Sequence, residues 1–288
     1  MLDASAKVTP VEIPTSLRET WKREPKWLQE LPLIVADLAA AWDLALEVPI
    51  DTPHSLVVPA GDVVLKLNAP SHFEADHEAD ALAWWGGCGA VRLVARADDH
   101  RAFLMERCRP GMRLWDSGVD EPSVVAELLP RLWGEVTDPH PFRLASDEAR
   151  RWTEEVAVHY ERGGRPFERS LADLALDVFR TAEPGATALA NQDLHGGNIL
   201  SAGREPWLVI DPKPLVGERE LDAVGLLRNA AWNGGTQAVR RWLDVLAELG
   251  LDRERARAWG VAHALAWGWA DGAWSTGSID AARLIAAA

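Results

Sequence analysis

The chain has 288 residues, 48% of them hydrophobic and 26% charged, and a formal net charge of −14. That length supports a substantial core in one large domain or two lobes. The acidic balance argues against nonspecific nucleic-acid binding, which depends on Lys and Arg neutralising phosphates. No run approaches the roughly 20 apolar residues that span a bilayer. No basic-then-apolar leader is visible at the start, and Cys88 and Cys108 are too few for a disulfide framework. The expectation is a cytoplasmic protein with reduced thiols, bound to neither nucleic acid nor membrane, as a monomer or dimer. The negative charge serves solubility and would also steer a cationic small-molecule partner. Fifteen tryptophans stand against one tyrosine. Such rings can take cation–π contacts from a guanidinium or ammonium group, although most sit at helical spacings that suit core packing.

In chain order, residues 1–20 carry Pro10 and Pro14 and read as an irregular lead-in. Leu28, Leu31, Ile34, Val35, Leu38, Trp42 and Leu46 recur near a helical period, which predicts a helix over 27–46. Val48 to Lys66 reads as strand, turn, strand, strand: a short first strand leads into a turn at 51–55, and the β-branched runs 55–59 and 63–67, linked by Ala60-Gly61-Asp62, form the next two. Lys66 stands inside the second run, where a buried ammonium needs a partner. A helix is predicted over 71–85, with Ser71 as N-cap and Glu74 completing a capping box. Glu74 and Glu78 lie one turn apart and share a face, so either could reach Lys66. Gly86-Gly87-Cys88-Gly89 ends that helix. Strands over 90–94 and 102–106 follow, joined through Asp98-Asp99-His100. From Glu121 the chain turns helical. The predicted helices are 121–133 with Pro122 in its first turn, 146–162 capped by Ser146-Asp147-Glu148, and 167–181. After polar turns near 193 and 211, helices are predicted over 236–249, 252–271 and from 278.

The chemistry is concentrated in 189–200 and 207–213. An apolar run enters the first stretch, a polar turn carries Asp193 and Asn198 five residues apart, and an apolar run leaves. A second apolar run, Trp207-Leu208-Val209-Ile210, delivers Asp211. Burial of the flanks would hold three oxygen-bearing side chains at adjacent strand or turn ends. That arrangement suits phosphoryl transfer, which needs a positioned nucleophile, neutralised phosphate oxygens and magnesium rather than covalent help. An Asp can orient an attacking hydroxyl and take its proton. An Asn and a second Asp supply the hard oxygen ligands magnesium prefers. A hydrolytic metal site built from Asp193, His195 and Asp211 is an alternative, but it leaves Lys66 unexplained.

The run Asn191-Gln192-Asp193-Leu194-His195-Gly196-Gly197-Asn198-Ile199-Leu200 resembles the His-Gly-Asp-Leu-His-x-Gly-Asn-Ile-Leu brace of antibiotic phosphotransferases. The segment 204–217 resembles one branch, the streptomycin 6-phosphotransferases grouped with hydroxyurea phosphotransferases. The resemblance implies a two-lobe, protein-kinase-like α+β fold. A small lobe with an antiparallel sheet would span 1–106, and a mainly helical lobe 107–288. It implies ATP and Mg2+ as cofactors and a hydroxyl of a cationic small molecule, an aminoglycoside such as streptomycin, as acceptor. Asp193 would be the catalytic base, and Asn198 and Asp211 would hold the metal. Lys66 would hold ATP phosphates and Glu78 would position it, with Glu74 left as a cap.

The remaining roles follow from the same resemblance. Ser55 is a candidate phosphate contact, and adenine would bind backbone near Glu106 and Cys108. Glu154, Trp232 and Asp271 are candidates for the acceptor. Asp222 is expected to brace the backbone of the catalytic loop. Lys213 either reaches phosphate or counters the acidic cluster, or is a surface residue. One departure is plain: Asn191-Gln192 replaces the usual His-Gly. It keeps open a nucleotide-binding module without turnover, and hydroxyurea or another metabolite remains an alternative acceptor.

Overall fold

The computed structural model describes residues 11–288. The chain divides into two compact units. One runs up to Gly87 and includes Val91–Arg109; the other holds Cys88–Ala90 and Pro110–Ala288. Residues 107–109 stay with the first unit because Arg107 donates its N–H to Asp62 O and its guanidinium to Glu47 and Gly61 O.

The first unit begins with helices α1 (Thr15–Thr20) and α2 (Pro25–Ala41). The irregular lead-in expected over 1–20 lies outside the described residues as far as 10, and α1 replaces its end. The first strand expected from Val48 does not form; Ile50 makes only an isolated bridge to Val57. Four antiparallel strands follow: β1 (Ser55–Ala60), β2 (Val63–Asn68), β3 (Leu93–Ala97) and β4 (Ala102–Glu106), ordered β1-β2-β4-β3. Successive strand residues face opposite ways. Leu56, Val58, Leu65, Leu67 and Leu104 therefore build a core with Leu31, Val35 and Leu38 of α2. The same alternation turns Lys66 and Asn68 to the other face of β2.

The helix expected over 71–85 is broken. Phe73–Ala75 make a single 3-10 turn, Asp76 is extended, and His77 is left-handed with φ 64°; only Glu78–Trp85 is helix, α3. The capping box does not form, since the Ser71 hydroxyl donates to Glu24. Asp76, at the break just before α3, pairs with Arg101 at 2.6 Å. Glu78 thus opens the helix. Gly86 closes it with φ 56°, as the glycine cluster predicts. The strand expected over 90–94 begins later, at Leu93, because Ala90 bridges to Val209 in the second unit's own sheet region.

The second unit carries α4 (Glu121–Leu132), α5 (Ala145–Arg162) and α6 (Arg169–Arg180). Ser146 lies inside α5 and caps nothing; Leu144 occupies the N-cap position. Two short antiparallel pairs follow. Strand β5 (Ala188–Asn191) pairs with β8 (Pro214–Gly217), and β6 (Ile199–Ser201) pairs with β7 (Trp207–Val209). Helix α7 (Ala223–Glu248) is interrupted at Gly235. It packs with α8 (Arg253–Ala266) and α9 (Thr276–Ala286) into the unit's helical core. Helix α8 stops short of 271. The chain there forms a small hairpin, β9 (Trp269–Ala270) and β10 (Ala273–Trp274), with Asp271 and Gly272 at positive φ in its turn. Among the described residues no helix is long and apolar enough to cross a membrane.

Candidate active site

In the first unit Lys66 and Glu78 form a buried pair. Lys66 Nζ donates to Glu78 Oε1 at 2.6 Å, and Asn68 Nδ2 donates to Glu78 Oε2 at 3.0 Å. The Ser55 hydroxyl completes the chain by donating to Asn68 Oδ1 at 2.6 Å. The β1–β2 register sets this up by placing Ser55 opposite Asn68. All four residues are buried, so the pairing satisfies charges and amides that would otherwise be costly to enclose. Ser55 is thereby a support for Asn68. Glu106 ends β4 with its N–H given to Arg92 O; Cys108, partly exposed and in no disulfide, lies just beyond.

In the second unit the two strand pairs hold the polar turns. Asp193 follows β5. Its Oδ1 accepts from an Arg228 terminal nitrogen at 2.8 Å, and Lys213 Nζ lies 3.3 Å from its Oδ2. Lys213 is also 3.7 Å from Asp211 Oδ1 and is buried, so it counters the acidic cluster and is not a surface residue. The Asn198 amide nitrogen donates to Asp193 O at 3.1 Å. The β6–β7 register pairs Ile199 with Val209, and Ile210 N–H donates to Asn198 O at 2.9 Å. Asn198 and Asp211 therefore flank the ends of one strand pair. Asp211 is held at φ 51°, a left-handed conformation that Asp tolerates better than most residues and that recurs at functional sites.

The loop backbone is pinned from three sides. Asn191 Oδ1 accepts from both Asp193 N–H and Lys213 N–H, at 3.1 and 3.0 Å. Asp222 Oδ1 accepts from Asn191 N–H at 2.7 Å, which is the bracing role expected of it, while its Oδ2 accepts from Trp133 Nε1 at 2.9 Å. Burial pushes the Asp222 carboxyl up to about 7, against the pull of those two donors. Gly225 allows α7 to approach the loop closely: a Cβ there would lie 2.5 Å from Leu194 O.

His195 is a structural member of the loop. Its Nδ1 accepts from Gly197 N–H at 3.1 Å, and its ring stacks on Trp115 with centroids 4.7 Å apart. Burial lowers its pKa. No group of three His, Cys, Asp or Glu side chains among the described residues is arranged to hold a metal, so the hydrolytic set of Asp193, His195 and Asp211 is not assembled.

A cavity of about 570 Å3 opens beside the loop, with Trp115, Glu121, Asn229, Trp232, Asn233 and Trp242 in its wall. Glu121 ties it to the loop by accepting from Gly196 N–H at 2.7 Å, and burial raises the Glu121 pKa. Of the expected acceptor residues, Trp232 lines this cavity. Glu154 lies exposed on α5 and Asp271 exposed at the β9–β10 turn, and neither reaches it. The structure adds Trp115, Glu121 and Arg228, which sequence reading missed. Arg228 alone carried a signal: it is a single cation in the apolar run 223–231.

Comparison with known proteins bears on the family and the fold. The streptomycin 6-kinase of Streptomyces griseus is 35% identical over 277 residues, covering 88% of this chain and 89% of that protein. The hydroxyurea phosphotransferase of Kitasatospora aureofaciens is 35% identical over 271 residues, covering 86% and 77%. A thermostable variant of the aminoglycoside phosphotransferase APH(4)-Ia, in its apo form, superposes with a TM-score of 0.58 at 12% identity, covering 87% of this chain and 97% of that one. It shares the kinase-like fold; a ternary complex of the same protein holds ADP and hygromycin B. Residues 42–277 match the aminoglycoside/hydroxyurea antibiotic resistance kinases, and the chain belongs to that family of phosphotransferases acting on hydroxyl groups.

Proposed function

We propose that the protein transfers the γ-phosphoryl group of ATP to a hydroxyl of an aminoglycoside of the streptomycin type. The observation that carries this reading is the Asp193 turn: a carboxylate held at both oxygens, on a backbone fixed by Asn191, Asn198 and Asp222. In the reaction the acceptor hydroxyl oxygen bonds to the γ-phosphorus, the bond to the β-phosphate oxygen breaks, and ADP leaves. Asp193 orients the hydroxyl and takes its proton. Lys66, held by Glu78, neutralises phosphate oxygens. Asn198 Oδ1 and the Asp211 carboxylate form a hard-oxygen pair that suits Mg2+, which prefers few protein ligands. When bound, Mg2+ would neutralise charge on the phosphates.

The acceptor is assigned to the cavity lined by Trp115 and Trp232. Its volume falls in the range of sites for drug-sized ligands, and its indole faces with Glu121 suit a guanidinium or ammonium group. Hydroxyurea would fill little of it, which favours the larger acceptor, but the similarity to a hydroxyurea phosphotransferase makes it the second substrate to test. Mass spectrometry of streptomycin after incubation with protein, Mg2+ and ATP should show a gain of one phosphoryl group. Asp193→Asn should abolish that gain. An unmodified antibiotic alongside phosphorylated hydroxyurea would reverse the acceptor assignment. No phosphorylation of either, with ATP left intact, would overturn the reading.

A further inference from the structure

Resting on the reading of Asp193 as the base, we propose that Gln192, His263 and Arg228 form a positioning relay that fixes the direction of the Asp193 carboxylate. Arg228 is buried on α7. One terminal nitrogen donates to Asp193 Oδ1 at 2.8 Å and the other lies 3.3 Å from His263 Nδ1. A guanidinium has donors and no acceptor, so Nδ1 has to be the accepting nitrogen and the ring proton sits on Nε2. Nε2 lies 3.1 Å from Gln192 Oε1, which accepts that proton. Every direction in the sequence of bonds is then determined: His263 donates to Gln192, and Arg228 donates to both His263 and Asp193.

The surroundings support a neutral His263. The residue has no solvent exposure, and burial followed by the charge of Arg228 holds its pKa well below the usual histidine value. Its ring meets Trp152 edge-on at 5.6 Å and Trp267 at 4.4 Å, and the Arg228 guanidinium lies 4.9 Å over Trp267. The only charged group these contacts bring to His263 is Arg228. A guanidinium is planar, so holding one nitrogen against His263 aims the other. Lys213 takes the second Asp193 oxygen, and the carboxylate is prevented from rotating. Gln192 supplies an acceptor that the Gly usual at this point of the resembled brace has no side chain to offer.

The test is steady-state kinetics with Mg-ATP and streptomycin, run beside acceptor-independent, magnesium-dependent ATP hydrolysis. Arg228→Met should lower kcat by about 10- to 100-fold, the scale on which misplacement of a reacting group acts, and leave the KM for ATP unchanged. Arg228→Lys should not restore it, because a point ammonium cannot serve both partners. The histidine variants separate a relay from mere packing. His263→Phe keeps a ring between Trp152 and Trp267 but removes both nitrogens. His263→Gln packs less well but offers a donor and an acceptor. The relay requires that His263→Gln keep more of kcat than His263→Phe; the reverse order overturns it, and this pair decides should Arg228→Met fail to fold. An unchanged kcat in Arg228→Met, with turnover abolished in Asp193→Asn, would sink the relay alone. Retained turnover in Asp193→Asn, or none in the wild type by either assay, would remove the base assignment and the relay with it.

Discussion

Replacing Asp222 with asparagine tests the support beneath the catalytic loop. Burial raises the Asp222 pKa from 3.8 to about 7, although Asn191 N–H and Trp133 Nε1–H both favour the charged form. A group whose folded pKa is raised contributes stability that is complete below its unfolded pKa and is lost as pH rises through the folded one. The whole preference amounts to roughly 4 kcal/mol at about 1.36 kcal/mol per pKa step. Integrated between pH 5 and pH 8, roughly 2–3 kcal/mol of it disappears. Asparagine has the same shape and keeps an oxygen for Asn191 N–H. Its amide nitrogen faces the Trp133 donor, at a cost of about 1–3 kcal/mol, but it has no proton to lose. Asp222→Asn should therefore be the less stable protein at pH 5. By pH 8 the gap should close or reverse, by roughly 4 °C in Tm at about 2 cal/mol/K per residue. Thermal melts of both proteins at the two pH values read this directly. Parallel pH dependence would refute the raised pKa and the account of Asp222 as a buried, charge-reluctant brace.

Three further perturbations follow from the same geometry. Lys66→Met takes the ammonium away from buried Glu78 and should destabilise the fold by about 3–5 kcal/mol; urea unfolding measures that, and a Lys66→Met/Glu78→Gln double variant should recover part of it. Gly225→Ala forces a methyl against Leu194 O, so it should lose about 1–3 kcal/mol and lower kcat, read by melts and turnover on one preparation. Trp115→Ala removes the stack on His195 and one wall of the cavity; the KM for the acceptor should rise several-fold, in line with about 0.5–1.5 kcal/mol for an aromatic pair, with the KM for ATP unmoved.

Lys66 is legible in the sequence because a lone ammonium inside an apolar strand demands a partner, and helical spacing narrows that partner to two glutamates. The helix that should carry both does not form as one piece. It breaks at the extended Asp76 and the left-handed His77, and nothing in the local pattern marks that break. Arg228 carries the same signal as Lys66, a single cation among apolar neighbours. Its partners are hidden by distance: Asp193 lies 35 residues back and His263 35 ahead. Trp232 is reached through the family resemblance, with no local pattern to mark it. Glu154 and Asp271 lie outside the cavity that Trp232 lines; in a sequence, an acidic residue on a helix face or turn reads the same whether it meets a ligand or water.

The departure at Asn191-Gln192 raised the alternative of a loop that binds nucleotide without turnover. The structure gives both residues work that bears on Asp193. Asn191 joins the Asp193 turn to the strand carrying Lys213, so one amide oxygen sets the separation of the base from its counter-charge. Gln192 orients His263, which orients Arg228. Two oriented oxygens, one on each residue, therefore favour a substitution that keeps the base in place over one that has abandoned it.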